Sequence, residues 1–389
     1  MEVTQDQTKN PEIINNQPAP TLGASEQKNP EKAQQKTQKN QPKGQPKPQI
    51  YTLTPQNLKA EIKANHHLEG VVGGRNTFAA FKSNSSYLIT TFNKGLILVE
   101  DNQVIYHGRI SKTFNDVTNA IYVDRYDCYF LCVHSAIYKK EIDDKPAFLW
   151  IKTFTGCWIC RSPLYNRGLN RLVLDKDFNS LCLANIEERK IEVEIKKDFG
   201  ADLRDYRLLG DYDHRAIGVT QDGFAILYDF NRRRISDKLD FKKIGMCSSE
   251  DVTARIAVCE GVDLACIATE NKGSMCLGKL IMLKASLGRL MVLSSVDVSY
   301  LGLRSVEAFS FNRVLGESVV SFVLLGTSTF ASQVAEFGFD FEKRVFLEAT
   351  ADDFDYKEQQ VKKLSKVGQG FLYTGENGLI VEFSSGLKL

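Results

Sequence analysis

A chain of 389 residues with a formal net charge of +2 is too long for one ordinary core and too nearly neutral for the strongly basic domain of a nucleic-acid binder. Nine cysteines, an odd number scattered along the chain, suggest reduced thiols and hence the cytoplasm or, alternatively, the nucleus. The opening MEVTQDQTKN has no apolar segment and carries Glu2 and Asp6, so neither a secretory signal nor a transit peptide is expected.

Residues 1–50 differ in kind from the rest. They hold seven of the ten prolines, ten Gln, five Asn and no aromatic residue. Such a segment cannot bury enough apolar surface to offset its ordering entropy, so a disordered Gln/Pro/Lys-rich tail is expected. Between Ser25 and Gln49 six Lys face two Glu, which makes the tail a solvated tether or an electrostatic arm for an acidic partner. Then comes LTPQNLKAEIKANHHLEG. Thr54 before Pro55 is a helix-start signal and Leu58 and Ile62 lie four apart, so the pattern predicts a short helix over about residues 55–65.

From there on the chain repeats itself. In HRAIGVTQDGFAILYD, residues 214–229, an alternating apolar run stops at a polar turn and a second run follows at once. Runs of this type start at Tyr87, Tyr129, Ser180, Ala216, Ala265, Val319 and Phe371. The steps of 42, 51, 36, 49, 54 and 52 residues average about 47. Most runs have a strand-like segment before them, as in NAIYVD and EAFSFN, and several have another after, as in RLMVLSS and RVFLEAT. The apolar runs are too short for helices and are cut by Gly, Asn and Asp. Four short strands per unit, seven times, predict an all-β chain, a seven-bladed β-propeller over 51–389. The step of 36 is the weak point of the count. The uncharged stretch Ser318–Ala335 is nearly long enough to span a bilayer, but Gly326 amid Thr and Ser suits two strands and a turn, so no membrane association is expected.

The hairpin at 216–229 resembles the WD-repeat propellers, in which an Asp-Gly type turn leads into a strand ending in Trp-Asp. Here Asp222-Gly223 leads through FAIL to Tyr228-Asp229, with an aromatic in the Trp place. NKGLILVED and ENGLIVEF keep the Gly and the alternation. No Gly-His and no Trp-Asp dipeptide occurs, so that family's hydrogen-bonded tetrad has no counterpart. The resemblance implies architecture, and a platform that holds protein partners.

Catalytic motifs are absent or incomplete. GSMCLGKL, Gly273 to Leu280, has the spacing of a phosphate loop, but Leu280 stands where a magnesium-binding hydroxyl belongs and no helix pattern follows. CWIC, Cys157 to Cys160, has no second ligand pair to complete a zinc site, and buried structural thiols are the better reading. The five histidines share no metal-ligand spacing beyond the adjacent His66 and His67, and ADDFDY lacks the Gly of a calcium loop. No cofactor and no metal is therefore expected. Arg232, Arg233 and Arg234 stand out as a candidate partner-binding cluster, provided that they sit on a loop, and Ser236 beyond them has the form of a phosphorylation site.

A non-catalytic protein-interaction scaffold, as a subunit of a larger complex, is the leading expectation. A propeller hydrolase or lyase with a central-channel site, and a structural component of a cytoskeletal or chromatin assembly, are the alternatives. One further expectation concerns closure. The last unit, QVKKLSKV, GFLYTGE and GLIVEF, supplies three strands, so an N-terminal segment should complete the final blade: IYTLTP at 50–55, in preference to LEGVVGG at 68–74.

Overall fold

The computed structural model describes residues 61–384, apart from the connecting segments 68–77, 109–116, 152–162, 197–201 and 355–360 and a number of shorter turns. The tail over 1–50, IYTLTP, LEGVVGG and the CWIC pair lie outside the described residues. What is described is all-β, with two short 3-10 turns, and its strands form seven four-stranded sheets that follow one another along the chain. The first sheet runs from Phe78 to Gly108, the second from Val117 to Ile151 and the third from Leu164 to Lys196. The fourth spans Leu203–Asp240, the fifth Asp251–Asp297 and the sixth Arg304–Phe354. The seventh comprises Val361–Val367, Gly370–Gly375, Leu379–Ser384 and, from the other end of the chain, Glu61–His67.

In the first six sheets the strands follow in sequence order from an inner first strand to an outer fourth, each antiparallel to the one before, with one additional parallel pairing of Cys128–Val133 with Lys145–Ile151; the seventh takes its outer strand from the other end of the chain. The first strand of each sheet lies against the first strand of the next, and Val361–Val367 lies against Phe78–Phe81, which closes the circuit. This is the architecture of a β-propeller. The core is distributed accordingly, as layers between neighbouring sheets. Ile217, Leu227 and Phe241 of the fourth sheet and its exit pack with Ile267, Ile281 and Leu283 of the fifth. Leu264, Leu280 and Met282 pack with Phe309, Phe322 and Phe337 of the sixth. Because both faces of a sheet are covered, middle strands read as nearly continuous apolar runs; all six residues of Ser180–Asn185 are buried. Ser318–Ala335 resolves into Val319–Thr327 and the start of Ser332–Asp340, and no helix among the described residues is long and apolar enough to cross a membrane.

Three expectations are corrected. The run at Ser180 is the third strand of its sheet, not the second, which is Arg171–Lys176. Second strands begin at Tyr87, Cys128, Arg171, Arg215, Leu264, Val319 and Gly370, with steps of 41, 43, 44, 49, 55 and 51, so the short step disappears. The helix expected over 55–65 is not there in its second half, since Glu61–His67 is a strand. That strand is also the one that completes the last sheet, pairing Glu61 with Ser384 through to His67 with Leu379, in place of IYTLTP. The reason is common to both. An apolar stripe only two residues wide gives a weak helix preference, whereas the open edge of Leu379–Ser384 offers a whole ladder of backbone partners, and tertiary pairing overrides local propensity.

Buried and half-buried carboxylates stitch neighbouring sheets together. Asp205, on the inner strand of the fourth sheet, accepts hydrogen bonds from Ile256 N–H of the fifth sheet at 3.0 Å, from Tyr206 N–H at 2.9 Å and from Arg207 at 2.7 Å. Glu270 accepts from Val306 N–H of the sixth sheet at 2.5 Å, and Asp237 from Leu290 N–H of the fifth at 2.8 Å. Tyr206 donates across to Asp175 of the third sheet at 3.0 Å. Each of these acids has a structural duty at an interface between sheets.

The 216–229 hairpin shows how sequence and packing agree. Gly223 takes φ +95° in the turn, which an L side chain rarely adopts, and Thr220 Oγ1 both donates to Asp222 at 2.5 Å and accepts from Phe224 N–H at 3.2 Å. Gly218 is needed for space, because a Cβ there would stand 2.8 Å from Leu203 Cδ1 and 3.2 Å from Tyr228 Cε2. Tyr228 fills this buried slot with a hydroxyl that has no hydrogen-bond partner, and burial pushes its phenol pKa up. Tyr228→Phe removes that unsatisfied group at constant shape. The substitution should leave stability unchanged or raise it by about 1 kcal/mol, as read from denaturant midpoints, and a loss of stability would reveal a missing partner.

Candidate binding face

In sheets four, five and six the turns between third and outer strands lie at the same end of the propeller and carry the candidate residues. In the fourth sheet the turn runs from Phe230 to Arg233, between Phe224–Asp229 and Arg234–Asp240. Asp229 is buried and accepts Arg232 N–H at 2.9 Å; its other oxygen lies 3.5 Å from Arg232 Nε. Arg233 has φ +54° and Arg234 opens the outer strand. All three arginines are exposed, and the first two are on a loop, as binding by them requires. Arg233 and Arg234 have no side-chain partner among the described residues. Phe230 turns inward and its N–H bonds to His214 O at 3.0 Å, which ties this turn to the neighbouring one between first and second strands. His214 Nε2 stands 3.6 Å from Asp229 Oδ1, and Arg215 bridges Asp213 and, at 3.4 Å, Asp263 of the fifth sheet.

Ser236 sits on the outer strand at a β-bulge, since Leu227 pairs with Asp237 and Tyr228 with Ile235. Its hydroxyl is enclosed and has no hydrogen-bond partner, so a kinase reaches it only when the outer strand opens. Equivalent bulges shift the register between third and outer strands in the first, third, fifth and sixth sheets. A bulge bends its strand and re-aims the side chains at its end, here those nearest the turn.

The sixth sheet repeats the turn. Buried Asp340 accepts Glu342 N–H at 3.1 Å and Lys343 N–H at 3.0 Å, which holds its carboxyl below the usual range despite burial, and Arg344 has φ +57°. The sequences DFNRR, Asp229–Arg233, and DFEKR, Asp340–Arg344, are the same device, and this repetition is the signal that leads from the first cluster to the second. In the fifth sheet the turn has only two residues, Leu287 and Gly288, at φ +52° and +75°. Leu287 is 98% exposed. Sequence reasoning alone passes over it.

The phosphate-loop spacing at Gly273–Leu280 belongs to a turn and a third strand. Leu277 and Leu280 are buried, and Lys279 Nζ donates to Met246 O at 3.2 Å. Burial pushes the Cys247 thiol up to about 12 and that of Cys266 well above its ordinary value, which disfavours either as a nucleophile. Among the described residues, no three His, Cys, Asp or Glu side chains gather as a metal site.

No protein-family model matches the chain, and no curated relative does either. Its similarity is to solved structures. The WD40 β-propeller domain of Doa1 superposes with a TM-score of 0.55 at 11% identity, over 84% of this chain and 97% of that one. At that identity the likeness defines the class of fold, a WD40-like β-propeller.

Proposed function

We propose that the chain is a seven-bladed, non-catalytic protein-interaction scaffold, a subunit of a larger complex that docks a protein partner on the end of the propeller bearing Arg232, Arg233 and Arg234. WD40-like propellers commonly serve as interaction platforms, which supports the general reading. One observation carries the specific one. The carboxylates nearest this turn, Asp229 and Asp237, bond to backbone N–H groups, while Arg233 and Arg234 stand exposed without a partner among the described residues. Guanidinium groups left in this state are ready for bidentate pairing with a partner's carboxylates. Buried thiols such as Cys182 and Cys266, which form no disulfide, suit a reducing compartment, and we place the protein in the cytoplasm.

Affinity purification of the full chain from cells at physiological salt tests this. A stoichiometric protein partner is expected with the native sequence and its loss with the Arg233→Glu, Arg234→Glu double variant. Recovery of the native chain alone would contradict the scaffold reading, and retention of the partner by the variant would move the docking site elsewhere.

A further inference from the structure

Type I′ hairpin turns, with both central residues at positive φ, strongly prefer Asn-Gly, because only small or locally bonding side chains tolerate the left-handed region. The fifth sheet closes such a turn with Leu287-Gly288, and Leu287 is also the most exposed of the large apolar side chains described. Both conformation and solvation therefore disfavour leucine at this point. The corresponding turns of the fourth and sixth sheets also hold a left-handed residue, Arg233 and Arg344, each the last before the outer strand, whereas the first sheet has Asp101, an ordinary choice, where the fifth has Leu287. Strained positions of this kind persist where function maintains them. Three consecutive sheets thus display arginine, leucine and arginine at left-handed positions of their turns.

The surroundings fit the same reading. Asp237 and Leu290 hold the outer strands of sheets four and five together at 2.8 Å. Arg234 and Leu287 each lie three residues before that contact, so the two tips stand side by side. Arg289 and Met291 follow Leu287 on the outer strand, both exposed, and Arg289 and Arg344 have no side-chain partner among the described residues. Glu342 is the one exposed carboxylate in the three turns.

We infer that this strip binds one extended segment of a partner protein, acidic at both ends with a single bulky apolar side chain between, which packs on Leu287 and Met291 while its carboxylates pair with Arg233 and Arg344. The inference rests on the scaffold reading and specifies its ligand. A nucleic acid would want exposed aromatic faces for stacking, yet Phe230 is buried and Phe341 packs on the core. A membrane would want several apolar tips in one plane, and these turns offer one.

The test uses the full chain and fluorescein-labelled synthetic peptides, one of Glu residues around a central Phe and one with Ser in place of Phe, read by anisotropy. Single-stranded RNA and phosphatidylserine vesicles are assayed alongside. The Phe peptide should bind, with about tenfold loss for the Ser peptide, for Leu287→Asn and for the Arg233→Glu, Arg344→Glu pair. Leu287→Asn relieves the turn, so its unfolding midpoint should rise while its binding falls, which separates lost contact from lost structure. Undiminished binding by Leu287→Asn would overturn the inference, as would RNA or vesicles being held while the peptide is not. A cellular partner retained by Leu287→Asn would leave the scaffold reading standing and remove this strip from it; recovery of the native chain alone would remove both.

Discussion

A chain beginning at Arg75 should unfold at a much lower denaturant concentration than one beginning at Gln56, or fail to stay soluble. The first lacks Glu61–His67, the outer strand of the seventh sheet, and the second retains it. Six residue pairs join that strand to Leu379–Ser384. At a net 0.5–1 kcal/mol for each backbone hydrogen bond, roughly 3–6 kcal/mol is lost. That is a large share of the 5–15 kcal/mol by which domains are typically stable, so the effect should be unmistakable. Loss of the strand also bares the edge of Leu379–Ser384, a template for pairing between chains, so aggregation should accompany the loss. Because the strand comes from one end of the chain and its partner from the other, it acts as a clasp on the closed circuit of sheets. Equal midpoints for the two chains would show that the circuit holds without it.

Asp205→Ala should be the most destabilising single substitution among the interface acids. The carboxylate is buried and serves Ile256 N–H, Tyr206 N–H and the Arg207 guanidinium together. Alanine leaves a buried amide of the neighbouring sheet without its acceptor and the half-buried Arg207 without its carboxylate, at about 3 kcal/mol or more. Asp205→Asn keeps one carbonyl oxygen and should fall between the two. The readout is the urea midpoint at constant slope, since the denatured state and the surface it exposes hardly change. A midpoint equal to that of the native chain would mean that Asp205 adds nothing to the hold between sheets four and five.

The architecture is readable in the sequence because each sheet is built locally: strand, turn and strand follow within about fifteen residues, as in Arg215–Asp229, and Gly, Asp and Asn mark the turns. Ser180–Asn185 misleads because it is buried on both faces and so looks like the second strand of its neighbours. Its sheet also opens with a strand of only three residues, Leu164–Asn166, too short to be noticed as the start of a unit. The clasp is illegible for a different reason. Whether EIKANHH is strand or helix depends on an edge more than three hundred residues away in sequence, which no local pattern encodes. On the candidate face, Arg232–Arg234 declare themselves as charge, and their exposure depends on the turn that the sequence does mark with Asp229. Leu287 declares nothing. RLMVLSS is legible as a separate strand-like segment, but the positive φ that makes the leucine before it conspicuous exists only once the hairpin has folded.

Scaffold function of this kind depends on which surface meets the partner. Hydrogen–deuterium exchange of the full chain, alone and with its co-purified partner, measures this directly through the backbone amides of every sheet. Protection is predicted at residues 230–234, 287–291 and 341–344, with the turns at the opposite end of the propeller, 221–223 and 272–276, unchanged. Protection confined to that opposite end, or none on the three turns at full occupancy, would contradict it.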